Sequence, residues 1–231
     1  MLYGFISLRY NKLIGMILIL FSLTEEGSSS EQSNHLTILI IGDSLVQGFG
    51  LAQKDGLVNQ LESNLINKGI NVGLVNGGVS GDTTAGGLSR LEWSLTDDID
   101  GVVVALGAND MLRGLPPKHT KNNLSQIIQK LKDRDLPVLL VGIRSIENYG
   151  KDYKLEFENI YRDLTDEFEL ILYPDLLSPI LDQDNVQLEK YYQADKLHPN
   201  VDGVLLIVNG IAPFLIELIE LTKSKIEKEN E

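Results

Sequence analysis

Three continuous apolar runs, "ILII" at residues 38–41, "VVVAL" at 102–106 and "VLLV" at 138–141, each stop abruptly on a glycine. A strand that is apolar at every position is buried on both faces, as in a parallel sheet covered by helices on either side. The segments between the runs carry the helical period that such a sheet needs. "LVNQLESNLINKG" sets Leu57, Val58, Leu61, Leu65 and Ile66 on one stripe and closes on Gly69, and "TKNNLSQIIQKLKDRD" repeats the pattern with Leu124, Ile127, Ile128 and Leu131. "TTAGGLSRLEWSL" reads as a helix capped by Thr83 or Thr84, with Trp93 taken as a core residue. Shorter strands at "NVGLVNGG" and "ELILYP", a helix at "YKLEFENIYRDLTDEF" and a closing helical region kinked or interrupted at Pro213 complete the series. Strand–helix alternation throughout predicts an α/β fold, one domain over residues 35–222 with a parallel sheet between two helical layers. The charged tail, residues 223–231, reads as a solvated, frayed helix end.

Residues 1–34 differ from this pattern. Arg9 and Lys12 precede the apolar stretch "LIGMILILFSL" at 13–23, and a Ser- and Glu-rich linker follows. The stretch is shorter than the roughly 20 residues that a membrane span requires, and its basic flank and polar exit read as an export signal. An uncleaved anchor at residues 13–23 is the alternative, because no Ala-x-Ala marks a cleavage site. Export to the periplasm is the favoured reading, and any membrane contact would run through this segment alone.

The formal net charge of -13 argues against nucleic acid as a partner, since binding it needs a basic face. The chain has no cysteine, so disulfides, thiolate nucleophiles and Cys-based metal sites are excluded.

In open parallel sheets, ligands bind at the carboxyl ends of the strands. The polar residues that end the first three strands, Asp43-Ser44, residues 76–82 and Asn109-Asp110, therefore share one edge. A serine there becomes a nucleophile only if a base removes its proton. Of the three histidines, His35 enters the first strand at the opposite edge, and His119 sits in a loop as a surface residue. His198 lies in the polar turn "ADKLHPN", three residues after Asp195, where a carboxylate can reach the ring Nδ1–H. The same turn could simply lead into the last helix, with Asn200 as its cap. Oxyanion donors are available in the Ser44 N–H, a backbone N–H within "GGVSGD" and the Asn109 amide. Asp43 reads as a turn residue. The serine follows the first strand and lacks the second glycine of a Gly-x-Ser-x-Gly elbow, which counts against an α/β-hydrolase.

With "GDSL" at 42–45, "VNGGVSGDTT" at 75–84, "GANDMLRGLPP" at 107–117 and "DKLHPN" at 195–200, the chain resembles the GDSL, or SGNH, hydrolase family. It is most similar to the bacterial branch of arylesterases and acyl-CoA thioesterase/lysophospholipases, a likeness that "IRSIENYG" at 143–150 extends. The resemblance implies a three-layer, flavodoxin-like α/β/α sandwich with five parallel strands. It implies Ser44 as nucleophile, His198 as base, Asp195 as the acid that orients it, and Ser44, Gly81 and Asn109 as the oxyanion hole. No metal or organic cofactor is implied. Where the branch more often has Gly-Ile, this chain has Lys196-Leu197, with the spacing kept.

The expected activity is hydrolysis of a small acyl ester or thioester through an acyl-enzyme. A carbohydrate O-deacetylase would use the same machinery, and a non-catalytic, membrane-tethered scaffold would keep only the fold. The loops after strands three and four, with Arg113 and Tyr149, should rim the cleft or be plain surface. The residues that bind the acyl chain stay unassigned.

Overall fold

The computed structural model of the chain describes residues 36–183, 187–229 and 231. The export-signal reading of residues 13–23, the linker and His35 lie outside these residues.

Five strands form one sheet: β1 (Leu36–Gly42), β2 (Val72–Gly78), β3 (Gly101–Ala105), β4 (Val138–Val141) and β5 (Ile171–Tyr173). Their order is β2-β1-β3-β4-β5 and every pairing is parallel. The apolar runs behave as full burial requires. Ile38, Leu39, Ile40 and Ile41 are at most 2% exposed. Burying each such side chain contributes roughly 1.5–3 kcal/mol.

The helices are α1 (Ser44–Gln47), α2 (Leu57–Asn67), α3 (Thr84–Ser94), α4 (Ala108–Leu112), α5 (Pro117–Lys132), α6 (Lys151–Phe168), α7 (Ser178–Leu181) and α8 (Val201–Glu229). One layer packs α2 and α7 against α8, and the other packs α3 against α5 and α5 against α6. The result is the three-layer, flavodoxin-like arrangement expected. Strand order reverses direction at β1, so the crevice between the ends of β1 and β3 is the natural ligand site. Register makes that crevice level. Gly42, the last residue of β1, pairs with Gly78 of β2 on one side and Ala105 of β3 on the other. Whatever follows these three residues must emerge together.

Two expectations need correction. Trp93 is not in the core and is 90% exposed. The buried stripe of α3 runs through Thr84, Gly87 and Leu91, and a residue two positions past Leu91 points to the far side of the helix. Pro213 does not end α8, which is continuous over 29 residues. Both Pro213 and Asn209, whose carbonyl loses its intrahelical donor, lie on the exposed face, so water can take that bond. Beyond residue 222 the tail continues the helix to Glu229, with Ile226 packed against the core and Lys225 3.8 Å from Asp135 and 3.6 Å from Glu229. Although α8 is long and apolar enough to cross a membrane, it lays ten buried residues, from Gly203 to Thr222, along the domain interior.

Candidate active site

Ser44 is the first residue of α1, placed there by a tight turn out of β1. Asp43 caps that helix, accepting the Leu45 N–H at 3.0 Å. Gly42 lets the turn close, since a Cβ on it would stand 2.3 Å from Val46 Cγ2 and 2.9 Å from the Ala105 carbonyl oxygen. A Gly-Asp-Ser therefore serves both packing and presentation: the glycine admits α1 against the strand ends, and the acid turns the chain into the helix.

His198 arrives from the other end of the chain. Residues 192–199 form a small hairpin, with Tyr192 bridged to Pro199 and the Gln193 N–H donating to the His198 carbonyl at 2.8 Å. Asn200 caps α8, accepting the Gly203 N–H at 3.1 Å, so the turn does lead into a helix as well as carrying the histidine. The Asp195 carboxylate receives the Leu197 and His198 N–H groups at 2.9 and 3.0 Å through Oδ1, and His198 Nδ1 at 2.7 Å through Oδ2. These donors, the His198 N–H first, hold the carboxyl down at about 2. A firmly ionised acid on Nδ1 fixes the tautomer with its lone pair on Nε2. That atom lies 2.9 Å from Ser44 Oγ and can accept the hydroxyl proton. His119 lies in the first turn of α5, not in a loop, and is exposed away from this site.

The oxyanion candidates converge on the same crevice. Ser44, Gly81 and Asn109 all line one cavity of about 580 Å³. Gly81 has φ 80, a left-handed conformation natural to glycine, and among the described residues no hydrogen bond occupies its N–H. Gly78 is structural instead: a Cβ there would meet the Gln47 backbone nitrogen at 2.2 Å. Asn109, at the start of α4, donates one amide N–H to Asp43 Oδ2 at 3.2 Å, leaving the other free for a ligand.

Several supporting residues surround the site, and Arg90 among them carried no sequence signal of its own. Arg90 on α3 donates to Asp82 at 2.5 Å and to the Gly42 carbonyl at 3.0 Å, tying the loop of Gly81 to the turn of Ser44. Arg113 donates to the Gly81 carbonyl at 2.8 Å, and Tyr149 to the Leu112 carbonyl at 2.9 Å, so both loops do rim the cleft. Asp110, 1% exposed, accepts from the Thr84 N–H and from the Thr84 and Thr120 hydroxyls, locking the starts of α3 and α5 to α4. The cleft wall is apolar, with Met111, Leu112, Ile143, Ile146, Leu177 and Leu181 among its lining. Those residues follow the ends of β3, β4 and β5, and that placement was the signal available for them. Arg144 closes one side, its Nε 2.7 Å from Asp175 and Nη1 3.0 Å from Asp182. Burial pushes the Asp175 carboxyl up.

Chemically, the arrangement offers an activated hydroxyl, a base held by an ionised acid, and N–H donors converging beside an apolar groove. The chain is similar in sequence and fold to known proteins. Residues 40–205 match the model of the GDSL-like Lipase/Acylhydrolase family. The chain is 33% identical over 207 residues to an arylesterase of Vibrio mimicus, a match covering 89% of this chain and 98% of that protein. It is 35% identical over 185 residues to thioesterase 1/protease 1/lysophospholipase L1 of Escherichia coli (strain K12), covering 79% and 85%. The crystal structure of AlinE4, an SGNH-hydrolase family esterase, superposes with a TM-score of 0.65 at 37% identity, covering 79% of this chain and 96% of that one.

Proposed function

The chain belongs to the GDSL-like Lipase/Acylhydrolase family of SGNH hydrolases, and we propose that Ser44, His198 and Asp195 carry its reaction as nucleophile, base and orienting acid. That reaction is the hydrolysis of carboxylic esters or thioesters. The observation that supports the assignment best is the chain of short contacts, Asp195 to His198 at 2.7 Å and His198 to Ser44 at 2.9 Å, at the mouth of an apolar cavity.

His198 Nε2 takes the Ser44 proton as Oγ bonds to the substrate carbonyl carbon, and the carbonyl π pair moves onto oxygen. The resulting oxyanion is received by the Ser44 and Gly81 N–H groups and by the second N–H of Asn109. Asp195 stabilises the imidazolium that forms. The tetrahedral centre collapses, the bond to the leaving alcohol or thiol breaks, and His198 returns the proton to that group. Water then repeats the sequence on the acyl-enzyme, with His198 again as base, releasing the carboxylic acid and free Ser44. Each oxyanion donor should be worth on the order of 10²–10³ in turnover.

An apolar wall suits an acyl chain better than a sugar, which favours arylesterase, acyl-thioesterase or lysophospholipase chemistry over carbohydrate deacetylation. Residues 13–23 act as an export signal that delivers the domain to the periplasm, and mass spectrometry of the exported N-terminus tests whether they are removed. The catalytic assignment is tested with p-nitrophenyl esters from acetyl to decanoyl. The expected result is turnover that Ser44→Ala abolishes. Undiminished turnover in Ser44→Ala would sink the mechanism.

A further inference from the structure

The residues that face each other as nucleophile and base are 154 positions apart in the chain and belong to separate elements. Ser44 is fixed by β1 and α1. The hairpin of His198 is fixed internally and to α8, through the Asn200 amide donating to the Lys190 carbonyl at 2.7 Å and to the Tyr192 carbonyl at 3.2 Å. Neither set of bonds decides how far the hairpin stands from α1. Asp195, whose side chain is 39% exposed, adds little packing against α1.

One side chain spans the gap. Gln193 Nε2 donates to the Phe49 carbonyl at 2.8 Å and to the Pro199 carbonyl at 3.0 Å. Phe49 ends the turn that follows α1, and its own N–H donates to the Ser44 carbonyl at 3.0 Å. Its ring lies against the His198 imidazole, with centroids 4.5 Å apart. The two N–H groups of a single amide therefore bridge the residue after His198 to the turn of Ser44. Gly50 leaves room for that amide, because a Cβ there would stand 2.1 Å from Gln193 Oε1. Among the described residues, the only other hydrogen bond between the hairpin and this turn is the His198–Ser44 contact itself.

We propose that Gln193 is a positioning residue for the hydrolysis, holding the His198 hairpin at the distance and angle where Nε2 can take the Ser44 proton. The inference rests on the assignment of Ser44 and His198 above. It locates a specificity of geometry, not of chemistry: Gln193 touches neither proton nor substrate. Proton transfer and attack depend steeply on alignment, and a misplacement of about 1 Å can cost on the order of 10²-fold in rate.

The test uses the full chain. Gln193→Met keeps the length and removes both N–H groups, and Gln193→Glu points carboxylate oxygens at two carbonyl oxygens. Gln193→Asn keeps the amide but falls one methylene short of Phe49, in a turn of unchanged polarity. Pre-steady-state release of p-nitrophenol from p-nitrophenyl butyrate reads acylation directly, alongside KM and thermal unfolding. Acylation should slow by about 10- to 100-fold in all three, at temperatures well below unfolding, while KM stays near wild type. A purely structural glutamine would lower the unfolding temperature and leave acylation unchanged. Wild-type acylation in whichever of these variants fold, with Ser44→Ala inactive, overturns the inference and leaves the nucleophile standing. Activity persisting in Ser44→Ala overturns the assignment beneath it.

Discussion

Asn109 donates an amide N–H to the buried carboxyl of Asp43 at 3.2 Å, so the acid of the Gly-Asp-Ser turn reaches past its own helix cap to aim the amide proposed as an oxyanion donor. Asp43 is 4% exposed, and burial pushes its carboxyl up against the opposing pull of the Leu45 N–H, the His198 charge and the Asn109 amide. With one N–H held, Asn109 can turn only the other toward a substrate. Asp43→Ala should cost about 1 kcal/mol of stability as a lost cap. It should also lower kcat by about 10-fold or more, approaching the loss in Asn109→Ala. The decisive measurement is the double variant. If Asp43 acts through Asn109, Asp43→Ala/Asn109→Ala turns over little worse than Asn109→Ala alone. Multiplying losses would reduce Asp43 to a cap.

Asp195 is the opposite electrostatic case. Its carboxyl lies below the ordinary 3.8, at about 2, because the His198 and Leu197 N–H groups and the His198 ring favour the charged form. A depressed acid contributes stability above its unfolded value and loses it as pH falls through its folded value. The wild type should therefore lose this contribution between 3.8 and about 2, and Asp195→Asn should show a shallower acid-induced decline over that window in chemical denaturation. In catalysis, Asp195→Asn removes the charge that supports the imidazolium and disturbs the tautomer. The side chain is 39% exposed, and water screens it. The expected loss in kcat is on the order of 10²–10³, below the ~10⁴ of a buried triad acid.

The fold was legible because its information is periodic. Continuous apolar strands and striped helices specify a parallel sheet, and the level strand ends then bring Ser44, the "GGVSGD" loop and Asn109 to one edge, whereas Gly81 within that loop was singled out by the family resemblance. Trp93 shows where periodicity fails: a large apolar side chain can sit on the solvent face of a helix whose inner stripe is made of small residues such as Gly87. The tethers were not legible for a different reason. Arg90, Gln193 and Asp43 act through bonds to backbone carbonyls or side chains 48, 144 and 66 positions away, and the bonding partner's identity leaves no trace in local sequence.

Arg90 is the clearest such tether for the oxyanion loop. Its fork holds Asp82 through Nε and the Gly42 carbonyl through Nη2. A lysine carries one compact ammonium and cannot satisfy both. Arg90→Lys should lose roughly 1–2 kcal/mol in urea unfolding, a partly exposed charge-assisted bond being worth less than a buried one. Its kcat should fall by about 10-fold, on the expectation that a loosened Gly81 loop misplaces one donor. Unchanged kcat at reduced stability would confine Arg90 to folding.

Lys196-Leu197 is where the histidine turn differs from the Gly-Ile expected from the family resemblance, and the structure gives Lys196 a physical meaning. Lys196 has φ 58, in the left-handed region where glycine is at ease and a side chain is strained by about 1 kcal/mol. Across this turn Asp195 Oδ1 receives both the Leu197 and His198 N–H groups. What the lysine gains is an ion pair with Glu189 at 3.2 Å, with both side chains more than 70% exposed, so it offsets little of the strain. Lys196→Gly relieves the strain but gives the unfolded chain more freedom. The balance should fall between no change and about 1 kcal/mol of added stability, with kcat kept, since among the described residues Lys196 hydrogen-bonds to Gln193 and Glu189 and not to Ser44 or the imidazole. Lys196→Val, β-branched at the same φ, should lose roughly 1–2 kcal/mol and turn over more slowly as the turn distorts. Equal stability of the glycine and valine variants would mean that the left-handed turn is not imposed on this position.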